Sequence, residues 1–312
     1  MMDQVVLFLS AAVVSGTPLL FATLGEIITE KSGNLNLGVE GMMLMGAVFG
    51  FKAGLIYDNP YIAVLAGALG GFLGALIYAF LTIELRANQV VCGLSLTIFG
   101  TGISSFIGKS MSGKVTPAGI KEFFTPVKIP LLGDIPYIGK IFFNQDLYVY
   151  LGYLAAVILG IYLYKSRPGL SLRSVGESPQ SADSAGINVS FYKYFNTLLG
   201  GALCGLGGAY LSLVYVPSWQ DGITGGRGWI AVALVIFATW NPYKALLGAY
   251  FFGGLDIIGF RLQGTKFAVS QYLIDMLPYL VTIAVLVFVS LKKSKDSAPP
   301  KSLGEPYFRE ER

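Results

Sequence analysis

Runs of apolar residues, each near the length of a bilayer crossing and separated by short polar breaks, repeat along almost the whole chain. A bilayer core of about 30 Å needs roughly 20 mostly apolar residues per helix. Spans of that kind are predicted near 5–24, 37–56, 61–83, 88–108, 147–165, 194–216, 229–240, 243–259 and 271–291. The seventh and eighth are short and joined by the breaker Asn241-Pro242, so they form either two crossings or one broken or re-entrant element. The expected architecture is an all-α integral membrane protein, a polytopic bundle of about nine (8–10) transmembrane helices. A single transmembrane domain is expected over 1–291, followed by a tail over 292–312. The first run follows Met1-Met2-Asp3-Gln4, which lacks the basic n-region of a signal peptide, and it reads as a retained helix.

Composition narrows the function. The 312 residues are 54% hydrophobic and 13% charged with a mean hydropathy of +0.64, about half the charge of an ordinary soluble domain. This excludes a soluble enzyme. The absence of histidine removes imidazole as base, proton shuttle or metal ligand. Cys92 and Cys204 lie in apolar runs and form neither a disulfide framework nor a metal site. The net charge of +4 is mild and scattered, so no nucleic-acid partner is expected.

Lysine and arginine placement sets the expected orientation. With 166–193 in the cytoplasm, the N-terminus lies outside and the tail inside. The cytoplasmic side then holds Lys31, Arg86, Lys165, Arg167, Arg173, Lys193, Lys244, Lys292, Lys293, Lys295, Lys301, Arg309 and Arg312. The outer side holds Lys109, Lys114, Lys121, Lys128, Lys140, Arg227, Arg261 and Lys266. Residues 109–146 become a long extracytoplasmic loop. Glycines at four-residue spacing (Gly46, Gly50 and Gly54; Gly67 and Gly71; Gly70 and Gly74; Gly201 and Gly205) predict close helix crossings.

Polar residues at membrane depth carry the candidate chemistry. In Ser32-Gly33-Asn34-Leu35-Asn36-Leu37-Gly38-Val39-Glu40-Gly41, two amides and a carboxylate stand at a helix start. They either cap and bond helices or line a translocation path. Arg86-Ala87-Asn88-Gln89 and Gly225-Gly226-Arg227-Gly228-Trp229 are two further polar helix starts. The path candidates are Asn34, Asn36, Glu40, Asn88, Gln89 and Arg227, with snorkelling to headgroups the competing reading for Arg227. Asp256 and Asp275 fall inside predicted spans, and Arg261 and Lys266 are candidate partners for Asp256.

The segment Ser178-Pro179-Gln180-Ser181-Ala182-Asp183-Ser184-Ala185-Gly186 begins with a capping serine and a proline at the first helical position, and ends on glycine. So short a helix is not stable alone and must pack on this chain or on a partner. Gly108-Lys109-Ser110 imitates a phosphate loop, but Ile103 stands where the motif needs glycine. The chain therefore carries no nucleotide site.

Gly25-Glu26, the string from Ser32 to Ala47, Ala87-Asn88-Gln89-Val90-Val91-Cys92-Gly93-Leu94, the stretch from Arg173 to Ile187, and Gly226-Arg227-Gly228-Trp229 with Trp240-Asn241-Pro242 together resemble the nucleoside permeases of bacterial ATP-binding cassette importers. That group also includes the ribose and branched-chain amino acid permeases. The resemblance implies a subunit of the bacterial cytoplasmic membrane working with an ATPase subunit, a second permease and an extracytoplasmic substrate-binding lipoprotein. ATP and Mg would sit on the ATPase, and this chain would need no cofactor and do no catalysis. It also implies ATPase coupling by Gly176, Glu177, Ser178, Pro179, Ala182, Asp183, Ala185 and Gly186. The string Asn36-Leu37-Gly38-Val39-Glu40-Gly41 is what favours nucleosides over free sugars. Alternatives are a permease of the same group for a simple sugar or branched-chain amino acid, or an ion-coupled secondary transporter using Glu40 or Asp256.

Overall fold

The computed structural model describes residues 2–262, 276–284, 287 and 298–309, with the side chains of 260–262 excluded. Asp275, Lys266, Lys292, Lys293, Lys295 and Arg312, the Arg261 side chain and most of the predicted ninth span lie outside that description.

Twelve helices follow in chain order, α1 Met2–Lys31, α2 Val39–Tyr57, α3 Pro60–Ala79, α4 Gln89–Gly108, α5 Ala118–Phe123, α6 Ile138–Phe142, α7 Leu147–Lys165, α8 Arg167–Glu177, α9 Pro179–Ser184, α10 Val189–Tyr210, α11 Arg227–Phe237 and α12 Pro242–Leu262, and residues 276–284 are helical as well. A π-helical turn extends α3 over Phe80–Glu84 and another extends α10 over Leu211–Tyr215. Side-chain caps start at least half of the twelve: Asn59 for α3, Asn88 for α4, Asp146 for α7, Ser166 for α8, Ser178 for α9 and Asn188 for α10. Each supplies an oxygen to a backbone N–H that the first turn leaves unpaired.

Among the described residues, six helical segments are long and apolar enough to cross a membrane: Met2–Lys31, Val39–Tyr57, Pro60–Glu84, Gln89–Met111, Leu147–Lys165 and Val189–Tyr215. They coincide with the first six predicted runs. Of the three remaining predicted runs, the seventh is the 11-residue α11, the eighth lies in the 21-residue α12, and most of the ninth lies outside the described residues. At 1.5 Å per residue, α11 is roughly 16 Å long, about half a bilayer core. It stops at Thr239 and Trp240, both with positive φ, and Asn241 then caps α12 through the N–H of Tyr243.

The centre of the bundle is a glycine-lined crossing of α2, α3 and α10. A methyl group on Gly46 would overlap the backbone of Gly205, and one on Gly71 would meet Gly201 and Gly205. Backbones touch here because lipid gives helices no hydrophobic reason to associate, and van der Waals contact must supply it. α1 packs along α10 and α12 on the other side.

The bundle has two distinct ends. Residues 109–146, with α5, α6 and an antiparallel pair (Val127 with Gln145, Lys128 with Asn144), fold over the end where Gln145 Nε2 donates to Ser10 Oγ on α1. Trp219 closes on Gly108 beneath this cap. At the opposite end, Lys31 meets α8, which the polar pattern of 166–177 concealed from a hydropathy reading. Residues 298–309 also dock there: Ser302 N donates to Gly176 O, and Gly304 N donates to Gly33 O.

Candidate functional site

The string from Ser32 to Gly41 does not run over the bundle surface. Residues 32–38 return between α1, α3, α4 and α10, and every turn of the string is fixed by a bond. Asn34 Nδ2 donates to Thr197 Oγ1 (2.9 Å), and Leu35 N donates to Gln89 Oε1 (2.6 Å). Tyr78 OH donates to Leu35 O (2.6 Å), and Thr97 Oγ1 donates to Leu37 O (3.0 Å). Asn36 gives both its N–H and Nδ2 to the Glu26 carboxylate, each at 3.1 Å, while its Oδ1 accepts from Gly38 N. Asn34, Asn36, Glu40 and Gln89 are all buried, whereas Asn88 is exposed at the start of α4. Non-helical backbone at membrane depth is tolerated when protein satisfies it in this way.

Glu40 sits in the first turn of α2 but serves another helix. Its Oε1 accepts from Thr224 Oγ1 (2.6 Å) and Gly226 N (2.9 Å), and its Oε2 accepts from Gly228 N (2.6 Å). The carboxylate therefore closes the N-terminus of the half-length α11, where unpaired N–H groups and the helix dipole favour a negative charge. Gly226, at φ +83°, makes the turn into that helix, and a side chain on Gly228 would collide with Glu40.

One residue further on, Arg227 Nη2 meets Asp256 Oδ2 at 3.0 Å, and its guanidinium lies over the Tyr215 ring at 5.5 Å. Ser15 Oγ also donates to Asp256 Oδ2 (3.2 Å). The structure thus pairs Asp256 with Arg227, 29 positions away; the Arg261 side chain and Lys266, the sequence neighbours considered for it, lie outside the described residues. Side chains on α1, α10, α11 and α12 converge at one place inside the bundle.

Two acidic residues further along α1 were not among the sequence candidates for the site. Glu26 holds Asn36, and Glu30 accepts from the Trp240 indole; both are fully or nearly fully buried. Their i, i+4 spacing on one face of an otherwise apolar helix was the available signal.

At the other end of the bundle, α9 is held as its caps predicted: Ser178 Oγ accepts from Ser181 N, Pro179 stands first, and Gly186 follows at φ +81°. Ala182 turns inward onto Val175 and Val189. Gly176 is buried against Lys31, and Asp183 faces Arg309 (3.4 Å). Glu177, Gln180, Ser184, Ala185 and Gly186 remain exposed.

Residues 8–286 match the family described as the branched-chain amino acid transport system / permease component. The chain belongs to this family. It is a multi-pass permease of an ATP-binding cassette importer, a transport subunit that is not itself catalytic and has no cofactor of its own. Such a permease works with an ATPase and a substrate-binding protein. Among relatives of the permease, TsgC13 of Haloferax volcanii, provisionally named for glucose transport, is 39% identical over 97% of each chain. The guanosine permease NupQ of Bacillus subtilis is 36% identical over 97% of this chain and 96% of its own. The nucleoside permease NupC of Lactococcus lactis subsp. cremoris is 36% identical over 94% of each. Bacillus subtilis also holds a more distant match, the guanosine permease NupP, at 25% identity over 77% of this permease and 70% of its own length.

Proposed function

We propose that this permease forms half of a translocation path for nucleosides, pairing with a second, NupP-like permease. The observation that carries this reading is the half-length α11, whose N-terminus ends inside the bundle on Glu40 and beside Arg227–Asp256. Discontinuous helices that end at the membrane midplane are where transporters bring backbone dipoles and charge to a polar solute. In this reading Asn34, Asn36, Glu40 and Gln89 hold the wall of the path, and Asn88 and Arg227 face it. Asn34 Oδ1, Gln89 Nε2 and Arg227 Nε are buried with no hydrogen-bond partner among the described residues, which supports a hydrated lining.

The outward residues of α9, with Glu177 before and Gly186 after, are the docking surface for the ATPase, and Gly176, Ser178, Pro179, Ala182 and Asp183 hold that surface in place. Nucleotide-driven closure of the ATPase would move α9 and rock the helices behind it. The end bearing Lys31, Arg86, Lys165, Arg173 and Lys244 faces the cytoplasm by the positive-inside rule. The cap over 109–146 then faces the extracytoplasmic binding lipoprotein, the N-terminus lies outside and the C-terminus inside.

Nucleosides are favoured by two full-length relatives named for them and by the string Asn36-Leu37-Gly38-Val39-Glu40-Gly41. A sugar is the second reading, favoured by the resemblance to TsgC13. Uptake by cells carrying the complete transporter, with purine and pyrimidine nucleosides, glucose, ribose and leucine as competitors, separates the two. Nucleosides alone should compete; competition by glucose alone would transfer the assignment to sugars.

A further inference from the structure

Lys193, the fifth residue of α10, is 3% exposed, yet it makes no hydrogen bond or ion pair among the described residues. Its stem is packed away from solvent while its ammonium has no such partner, and in a membrane protein an unpaired cation at such a place marks a functional position. Its surroundings suggest what it meets. Lys193 lines a cavity of about 370 Å³ together with Arg86, Ser190, Glu84, Asp183 and Arg309. Arg309 and Asp183 answer each other at 3.4 Å, and Glu84 lies against Tyr194 at the rim. Arg86 is exposed and held in place over the Phe308 ring at 4.7 Å. Lys193 and Arg86 thus face one polar cavity with the Glu84 carboxylate as the remaining charge of its lining, which is net positive, beside the N-terminus of a 22-residue helix.

The cavity meets lipid-like surroundings at the contact of Glu84, which lines it, with Tyr194, which does not. Thr82 lines the cavity while Leu81 lines an apolar groove; Lys193 lines the cavity while Tyr194 lines the groove. The groove, about 400 Å³, is completed by Leu76, Ile77 and Phe80, of which Ile77 and Phe80 are 40% and 51% exposed. A free phosphate would use the cavity and leave the groove unexplained. A molecule with an anionic head and an apolar tail uses both, and basic pockets between helices at the cytoplasmic face suit such headgroups.

We propose that the cavity and groove hold one anionic phospholipid, its headgroup phosphate between Lys193 and Arg86 and an acyl chain along Leu76, Phe80, Leu81 and Tyr194. The site lies beside α9, so the bound lipid would brace the α9–α10 corner against the end of α3.

The test is native mass spectrometry of the purified full chain after exchange into phosphatidylglycerol or phosphatidylcholine, with and without millimolar inorganic phosphate. The wild type should retain phosphatidylglycerol in preference to phosphatidylcholine, and inorganic phosphate should not displace it. Lys193→Met and Arg86→Gln should each weaken retention about fivefold, from roughly 1 kcal/mol per basic residue near the surface. Lys165→Met, which removes an exposed charge elsewhere at the same end, should leave it unchanged. Lys193→Met should melt no lower than wild type in phosphatidylcholine, and Arg86→Gln, being exposed, separates loss of the site from loss of the fold. Equal retention by wild type and both variants would overturn the proposal. Displacement by inorganic phosphate, or equal retention of both lipids by the wild type, would overturn it as well.

Discussion

Glu40 of α2 accepts from the backbone N–H of Gly228 at the start of α11, at 2.6 Å, across 188 positions of sequence. With Thr224 and Gly226 it completes a three-donor cradle around one carboxylate. Glu40→Gln keeps the shape but turns an amide N–H₂ toward a backbone N–H, which can only donate. The expected cost is about 1.5–3 kcal/mol, the range for hydrogen bonds to a charged group, read as a lower melting temperature in detergent. Uptake should fall with it. Wild-type uptake at the lower melting temperature would confine Glu40 to capping.

The Arg227–Asp256 contact is half-buried and should behave as a coupled pair. Arg227→Met and Asp256→Asn should each destabilise the permease, because each leaves its partner's charge unanswered. The double variant should lose less than the sum, with a coupling of about 0.5–3 kcal/mol in a double-mutant cycle. Strict additivity would mean that the contact contributes nothing.

Ala182 and Ala185 separate packing from docking on one short helix. Ala182→Asp buries a carboxylate against Val175 and Val189 and should lower both stability and expression. Ala185→Asp, on the exposed side, should leave the melting temperature alone and uncouple ATP hydrolysis from uptake in the assembled transporter. Coupled uptake at the wild-type rate in Ala185→Asp would remove the outward face of α9 from the ATPase contact.

Asp146 gives a pH signature outside the membrane spans. Burial raises its pKa above the ordinary aspartate value, although the Val149 N–H and the Tyr210 hydroxyl both bond to it. A carboxyl raised in the folded state binds more protons folded than unfolded. Stability is therefore greatest at low pH and declines as pH rises from roughly 4, the unfolded value, through the raised folded value. Asp146→Asn should flatten this decline in a series of melting curves. An unchanged slope would show that another group produces it.

The six long crossings, the caps of α9 and the break at Asn241-Pro242 were legible because each is written locally, as a run, a spacing or a turn residue. The candidate site was legible only as a set of polar positions. Asn36 and Glu40 announced themselves, but their partners Glu26 and Gly228 come from other helices, and no periodicity links them. Arg227 looked like a headgroup anchor because Asp256 lay inside a different apolar run. The docking of 298–309 left no pattern at all, since it rests largely on backbone bonds from Ser302 to Gly176 and from Gly304 to Gly33. Ala182 and Ala185 look alike in sequence, and only the packing of Val175 and Val189 tells their faces apart.

The central claim is that this permease conducts and a partner supplies the energy. Vesicles reconstituted with the permease, the proposed second permease, the ATPase and the binding protein should take up the labelled substrate, a nucleoside on the reading above, only when ATP is present. Vesicles holding this permease alone under a proton or sodium gradient should take up none. Gradient-driven uptake by the permease alone, without ATP, would contradict the account.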